Sequence, residues 1–445
     1  MSLTQLLTSA PFTGPKNPDA VLADIPKGLK KVAHLVRRYV PFVKPEATEE
    51  IAIAHDYLTQ RGGAERVVLA MHRAFPDAPI YTTLYDPEGT FPEFKDAKII
   101  TSPLNKIGYL RRNHRMALPI LPLASSLLKV PAERAVVSTT GWAHGFNYAG
   151  RKFIYCHSPA RWLYLSDQYL GEKSTGPVPL LLKTLRPALM LWDHWAAHRS
   201  AVYVANASVI KKRIENVYGK KDVPIFFPPH SVDPKAPTEP IPGLEEFMSG
   251  EDYFLIVSRL LPYKNVDKAV EACNNLGKKL LVIGHGPEKE HLQQIAGDTI
   301  RIASGVTDAQ LRYAYRHCLA LLAISYEDFG ITPLEAGASG KAVIAYRAGG
   351  FLDTIQEGKT GVFIEQPTVE QLQAALEVFN PKDWDADYIR EHVDSFSEAR
   401  FISRLKSYIP VSYTHLDESE PFTWISNEQM AAQTVDIYTR TLEKK

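Results

Sequence analysis

Two α/β domains, each a mostly parallel sheet with crossover helices, are predicted by three features of the chain. Its 445 residues are too many for one ordinary domain and suit two. Short apolar runs alternate with amphipathic stretches at helical spacing, the pattern of a parallel sheet whose strands are joined by helices. A proline-rich stretch from Pro228-Pro229 through Val232-Asp233-Pro234 to Pro242 divides this alternation in two and reads as a linker between domains.

The first half opens with an expected strand at Ile51–His55. A loop with Gly62 and Gly63 follows, then a helix from about Ala64 whose buried stripe is Val67, Val68, Met71 and Phe75. Ile80–Leu84, Val136–Ser138, Lys152–Cys156 and Val202–Ala205 are further candidate strands. In the second half the candidate strands are Asp252–Ser258, Lys279–Ile283, Leu319–Ser325, Ala342–Tyr346 and Val362–Ile364. Helical stretches over Asn265–Asn275, Lys289–Ile295, Asp308–His317 and Pro333–Ser339 separate them. Asn265 is placed to cap the first of these helices and Gly277 to end it. Phe422–Leu442 reads as one last helix. The expected organisation is an extension over 1–48, a first domain over 49–235, a second over 236–421, and a final helix over 422–445.

Composition excludes some functions. A hydrophobic share of 45% suits large cores, and 51 Lys plus Arg against 50 Asp plus Glu gives no support for nucleic-acid binding. The three cysteines, Cys156, Cys273 and Cys318, are far apart and fit a reducing compartment better than a disulfide framework or a zinc site. The N-terminus is polar and proline-containing, without a secretory pattern, and no run of 18 apolar residues spans a membrane, so a cytoplasmic location is expected. Two segments are basic and amphipathic. Lys27–Lys44 suits either an anionic membrane surface or a solvated helix packed on its domain. Lys106–Lys129 suits either a lipid phosphate with its chain or a loop packed on its own domain.

The strongest functional candidates are Glu327-Asp328-Phe329-Gly330-Ile331-Thr332-Pro333-Leu334-Glu335, directly after a candidate strand. Gly330 permits tight backbone geometry, Thr332 is placed to cap, and Pro333 suits the first helical position. The N–H groups of the first turn can then take an anion such as a diphosphate. Thr332 and Glu335 also have the spacing of a capping box, in which Glu335 merely closes the helix start. Glu327 has no such role and stands as a carboxylate at the mouth of the sheet. Arg259 and Lys264 flank the loop after Asp252–Ser258, where two cations can hold a diphosphate and stabilise a leaving phosphate. Gly62-Gly63 lets backbone amides approach phosphate, or makes a simple tight turn. Gly284-His285-Gly286-Pro287-Glu288 lacks the third glycine of a dinucleotide fingerprint. His157, after Lys152–Cys156, is placed to bond a sugar hydroxyl or polarise a reacting group, or serves structure alone.

Taken together, these residues resemble the retaining glycosyltransferases of family 4, which have the GT-B architecture. The resemblance runs from about Ile51 to the final helix. It is carried by His55-Asp56, Gly62-Gly63-Ala64-Glu65-Arg66, Tyr155-Cys156-His157-Ser158-Pro159, Trp192-Asp193, Asn206-Ala207-Ser208 and Pro228-Pro229. In the second half it is carried by Ser258-Arg259-Leu260, Lys264-Asn265, Gly284-x-Gly286-Pro287-Glu288 and the Glu327/Glu335 pair. Where relatives run Pro-Pro-Val-Asp, this chain has Pro228-Pro229-His230-Ser231-Val232-Asp233.

The resemblance implies two Rossmann-like domains facing across a cleft, with the donor held mainly by the second. Arg259 and Lys264 would grip the donor diphosphate, and Glu335 would bind the nucleoside ribose. Glu327 and the backbone of Phe329, Gly330, Ile331 and Thr332 would contact sugar and phosphate. His157 would meet the reacting sugar, and Gly62 and Gly63 the phosphate. It implies no metal or other cofactor, a nucleotide-sugar donor, and a retaining transfer. The donor most in keeping with the likeness to mannosyltransferases of bacterial polysaccharide assembly is GDP-mannose. The acceptor would be a lipid-linked saccharide at the inner face of the cell membrane, with peripheral contact to anionic lipid and no nucleic acid. An epimerase, a phosphorylase or a non-catalytic sugar-nucleotide-binding protein of the same architecture is the alternative.

Overall fold

The computed structural model describes residues 44–118, 120–164, 177–198, 201–230 and 232–414. The basic segment over Lys27–Lys44 lies outside them apart from its last residue, and the helix expected at Phe422–Leu442 lies outside them entirely. The chain divides into two compact units. The first takes the described residues within Met1–Ala205, Lys212–Pro224 and Leu405–Lys445; the second takes Asn206–Lys211 and Ile225–Arg404.

The first unit contains strands β1 (Glu49–His55), β2 (Ile80–Thr82), β3 (Ile99–Thr101), β4 (Lys129–Val130), β5 (Ala132–Thr139), β6 (Asn147–Tyr148), β7 (Arg151–Cys156) and β8 (Ala201–Ala205). Six of them form one sheet in the order β3-β2-β1-β5-β7-β8, and every pairing is parallel. β4 and β6 pair separately. The second unit contains β9 (Tyr253–Val257), β10 (Lys279–Ile283), β11 (Ile300–Ala303), β12 (Leu321–Ala323), β13 (Val343–Tyr346) and β14 (Gly361–Ile364), in the order β11-β10-β9-β12-β13-β14. These pairings are parallel too. Counted within its own sheet, each order is 3-2-1-4-5-6, the doubly wound arrangement.

Parallel strands covered on both faces are apolar at every position, which is why they read as continuous runs. In β9, Tyr253 and Leu255 enter one core with Leu281, Tyr315, Ala336 and Val343, while Phe254 and Ile256 enter the other with Val270, Leu280, Val282 and Leu372. Two strands absent from the sequence expectation, Ile99–Thr101 and Ile300–Ala303, each lie at one edge of their sheet and are mostly half-buried. A helix over Pro177–Ala197, with Pro187 inside it, was likewise not anticipated. The helix Val266–Leu276 ends at Gly277 in a left-handed conformation, as expected, but Asn265 supplies no side-chain cap. The proline-rich stretch is not a free linker. Arg312 donates to Pro237 O at 3.1 and 2.9 Å and Arg316 donates to Pro234 O, which straps the stretch along the Asp308–His317 helix of the second unit. Cys156, Cys273 and Cys318 are free and buried.

At the end of β1, the buried Asp56 organises the turn after β5. Its carboxylate accepts from the N–H groups of Thr140 (2.6 Å), Trp142 (3.2 Å) and Ala143 (2.5 Å) and from the hydroxyls of Thr139 (3.0 Å) and Thr140 (2.6 Å). Asp56→Ala would strand several buried donors, each worth about 1–3 kcal/mol when unsatisfied. A drop of more than about 3 kcal/mol in urea-unfolding free energy is expected, and an unchanged midpoint would contradict this arrangement.

Candidate functional site

In the second unit, two loops leave the carboxyl ends of the neighbouring central strands β9 and β12. The first carries Arg259 and Lys264, the second Ser325 to Thr332. Lys264 is 6% exposed, and its ammonium is ion-paired to the Glu327 carboxylate. Burying a lone ammonium would be costly, and the carboxylate supplies the partner that Lys264 needs there. Ser325 Oγ donates to the same Glu327 oxygen at 2.9 Å. Asn265, held in a left-handed conformation, donates from Nδ2 to Ile324 O at 2.9 Å and so ties the first loop to the second. Arg259 is exposed, and its guanidinium donates to Tyr263 Oη at 3.3 Å. The structure therefore brings Lys264 and Glu327 into contact and leaves Arg259 open to solvent beside them.

The Glu327–Thr332 loop is shaped by glycines. Gly330 has φ +77°, and a Cβ there would stand 2.3 Å from the Phe351 ring. Gly349, at φ +63°, passes so close beneath Glu327 that a Cβ would lie 2.1 Å from its carbonyl oxygen. Gly350 N donates to that carbonyl at 2.9 Å. The sequence reading did not single out Gly349-Gly350; a Gly pair separated by two residues from the strand ending at Tyr346 was the available signal. Phe329 packs on Phe227 at 5.9 Å between ring centroids.

Thr332 is not the helix cap. The Thr332–Ala338 helix has Ile331 as its N-cap residue with no side-chain cap bond, and Leu334 and Glu335 donate their N–H groups to Ile331 O. The capping box is consequently absent: Glu335 instead accepts the Tyr315 hydroxyl at 2.7 Å, one turn into the helix, and is 8% exposed. A true capping box does occur nearby, between Thr307 and Gln310.

In the first unit, Gly62 is the N-cap residue of the Gly63–Ala74 helix in extended conformation, and the space a Gly63 Cβ would occupy is open. His157 follows β7 with its N–H bonded to Thr139 O at 2.9 Å. Its Nε2 lies 2.8 Å from the hydroxyl of the buried Ser138. Burial, then the nearby His55 and Arg161 charges, push the His157 imidazole down to about 3, so it is neutral near pH 7. His55 stands behind it. Burial opposes its charge, but hydrogen bonding to and charge on Glu65, the Asp56 charge and the Ser138 carbonyl together raise its pKa.

Residues 97–132 hold no Asp or Glu. Within them Lys106, Arg112 and Lys129 are exposed. The same stretch carries six of the ten exposed large hydrophobics among the described residues: Ile107, Tyr109, Met116, Ile120, Leu123 and Leu127. His114 in this stretch stacks on Tyr57 at 4.5 Å, so the segment is fixed to the loop after β1. Among the described residues, no group of three or more His, Cys, Asp or Glu side chains is arranged to hold a metal ion, and no helix is long and apolar enough to cross a membrane.

Comparison with known proteins gives the site a context. Residues 241–383, which contain Arg259, Lys264, Glu327 and Glu335, match the family described as glycosyl transferases group 1. The glycogen synthase of Pseudomonas syringae pv. syringae is 32% identical over 134 residues, covering 28% of this chain and 27% of that protein. The GDP-mannose-dependent alpha-(1-6)-phosphatidylinositol monomannoside mannosyltransferase of Mycolicibacterium smegmatis is 30% identical over 138 residues, covering 27% of this chain and 36% of that protein. The matched stretch thus spans about a third or less of these relatives' own lengths. Among solved structures, Anabaena Alr3699/HepE in complex with UDP superposes with a TM-score of 0.60 at 13% identity, covering 81% of this chain and 100% of that one. Sucrose-phosphate synthase from Thermosynechococcus elongatus gives 0.61 at 16% identity, covering 82% and 99%. Likeness at this identity establishes the fold, the two parallel-sheet α/β domains of the GT-B architecture. Within the second unit, residues 241–383 carry the likeness to the group 1 glycosyl transferases.

Gly330→Ala forces a side chain into left-handed backbone, at about 1–2 kcal/mol, before any overlap with Phe351 is relieved. Loss of at least that much unfolding free energy is expected, and full native stability would show that the loop is not packed as described.

Proposed function

We propose that the chain is a retaining glycosyltransferase that moves a sugar from a nucleoside diphosphate sugar. One observation carries the reading: Arg259, Lys264 and the Glu327–Thr332 loop emerge at the carboxyl ends of β9 and β12, where the strand order of the second sheet reverses. Ligands of doubly wound sheets bind at that switch point. In this reading Arg259 and Lys264 neutralise the diphosphate as the glycosidic bond to it breaks. The charge stabilisation is present before the reaction and grows in value in the transition state. Glu327, fixed by Lys264 and Ser325, contacts the sugar, whose transition state has oxocarbenium character. The backbone of Phe329, Gly330, Ile331 and Thr332 lines the phosphate and sugar, and Glu335 takes the ribose. Within the first unit, His157 is assigned to the sugar and Gly62-Gly63 to phosphate. Attack on the same face as the departing phosphate, which accepts the incoming hydroxyl's proton, accounts for retention.

The partial likeness to a GDP-mannose-dependent enzyme supports GDP-mannose as donor. The acid-free segment with its exposed apolar side chains supports an acceptor presented at an anionic membrane surface, a lipid-linked saccharide, with the protein held peripherally on the inner face of the membrane. The charge on the leaving diphosphate is assigned to protein cations and not to a metal or other cofactor.

Four measurements test this. In calorimetry with GDP, UDP and ADP, GDP binds selectively, and Arg259→Ala and Lys264→Ala each weaken it about tenfold or more. Absence of binding by all three nucleotides overturns the reading. Glu327→Ala lowers kcat by about a hundredfold or more, and full turnover in that variant refutes the site. Transfer rates are unchanged by EDTA; loss of activity restored by a divalent cation would contradict the assignment of charge to Arg259 and Lys264. Binding to vesicles of anionic phospholipid is strong at low salt and falls at least about tenfold in the double variant Lys106→Glu, Arg112→Glu. No binding at low salt removes the membrane surface from the account.

A further inference from the structure

We propose that Glu65, His55 and Ser138 are positioning residues for His157, a buried line of polar contacts that holds its ring neutral with the proton on Nδ1. The proposal rests on the reading in which His157 meets the sugar. It goes beyond that reading in stating which nitrogen donates and what fixes it.

Hydrogen-bond accounting leads from the interior outward. Glu65 is 1% exposed. Its Oε1 accepts from Gln60 Nε2 at 3.1 Å and lies 3.9 Å from His55 Nε2. His55, also 1% exposed, turns its Nδ1 to the backbone carbonyl of Ser138 at 3.0 Å. A carbonyl only accepts, so His55 Nδ1 carries a hydrogen. Glu65 near its other nitrogen favours the protonated ring. Next, Ser138 Oγ meets His157 Nε2 at 2.8 Å. Among the described residues this is the only partner of the fully buried Ser138 hydroxyl. If Nε2 were the donor, the hydroxyl hydrogen would be buried without an acceptor, so Ser138 donates and Nε2 accepts. The single ring proton of a neutral His157 is therefore on Nδ1. That nitrogen takes no partner among the described residues, on a side chain that is half-buried. The line ends in an N–H with nothing of the protein to bond, as a group meant for a ligand hydroxyl should.

The charges facing the line agree. His55 faces Glu65 and Asp56, which favour its proton. His157 faces His55 and Arg161, and charge on either disfavours a second proton on it. A histidine that stays neutral on acidification keeps Nε2 as an acceptor and so keeps Nδ1–H as the donor. The other oxygen of Glu65 has no hydrogen-bond partner and lies against Gly62, where an added Cβ would stand 2.5 Å from it. The line thus begins beneath the loop that the functional reading assigns to phosphate.

The test is long-range proton–nitrogen NMR of the full chain labelled with 15N-histidine, the two rings assigned from His55→Gln and His157→Asn. The expected spectrum shows His157 neutral at pH 7 with Nδ1 protonated and Nε2 bare, unchanged down to about pH 5, and His55 doubly protonated. Ser138→Ala releases His157 into a mixture of tautomers, and Ser138→Thr, which keeps the hydroxyl, restores the single one. Glu65→Gln leaves His55 neutral at pH 7, since burial then dominates. A native His157 protonated on Nε2, or a tautomer unmoved by Ser138→Ala, overturns the proposal. The spectra need no substrate, so they stand or fall apart from the transfer reading. Where transfer is measured, Ser138→Ala lowers kcat roughly tenfold with the donor KM within about twofold, a split that general unfolding would not produce.

Discussion

The constraint on which the molecule depends is the reversal of strand order in each parallel sheet. Right-handed crossovers cover one face of the sheet on one side of the central strand and the opposite face on the other. At the reversal, two adjacent strands send their connections apart, and the ground above their carboxyl ends is left uncovered. In the second unit those strands are β9 and β12, and the loops that leave them hold Arg259, Lys264 and Glu327. In the first unit the corresponding strands are β1 and β5, which end in His55 and in Ser138-Thr139, with His157 just past the neighbouring β7. The proposed site residues sit where the topology leaves room.

Polar groups brought into that ground must be paired, and the pairing determines what they can do. Lys264 is paired with Glu327, and Glu327 is in turn oriented by Ser325. Glu335 is fixed by the Tyr315 hydroxyl. Asp56 is consumed entirely by the turn after β5, which makes it a structural residue despite its place at a strand end. Arg259 is the contrast: exposed, lightly held by Tyr263, and free to turn toward a ligand.

How much of this was legible in sequence varied by element. Buried strands announced themselves as apolar runs, and the site loops followed at once from being next to them. Two of the four edge strands did not: Ile99–Thr101 and Ile300–Ala303 are short and mostly half-buried, without a continuous buried run. The cap expected from Thr332 failed because spacing does not reveal where the helix begins; it starts one residue earlier, and Glu335 found Tyr315, 20 residues away, which no local pattern discloses. The proline-rich stretch looked like a linker because its backbone partners, Arg312 and Arg316, are remote in sequence. His55, Glu65 and Ser138 stood in recognisable segments, yet His55 meets Ser138 only through the pairing of β1 with β5, and Glu65 reaches His55 from the Gly63–Ala74 helix.

The most direct test of the central claim is a crystal structure of the full chain with a nucleoside diphosphate bound. The account predicts both phosphates within hydrogen-bonding distance of Lys264 Nζ and the Arg259 guanidinium, beside the Glu327–Thr332 loop, with the ribose against Glu335. A nucleotide bound elsewhere on the chain, with Lys264 still paired only to Glu327 and Arg259 still turned to Tyr263, would contradict it.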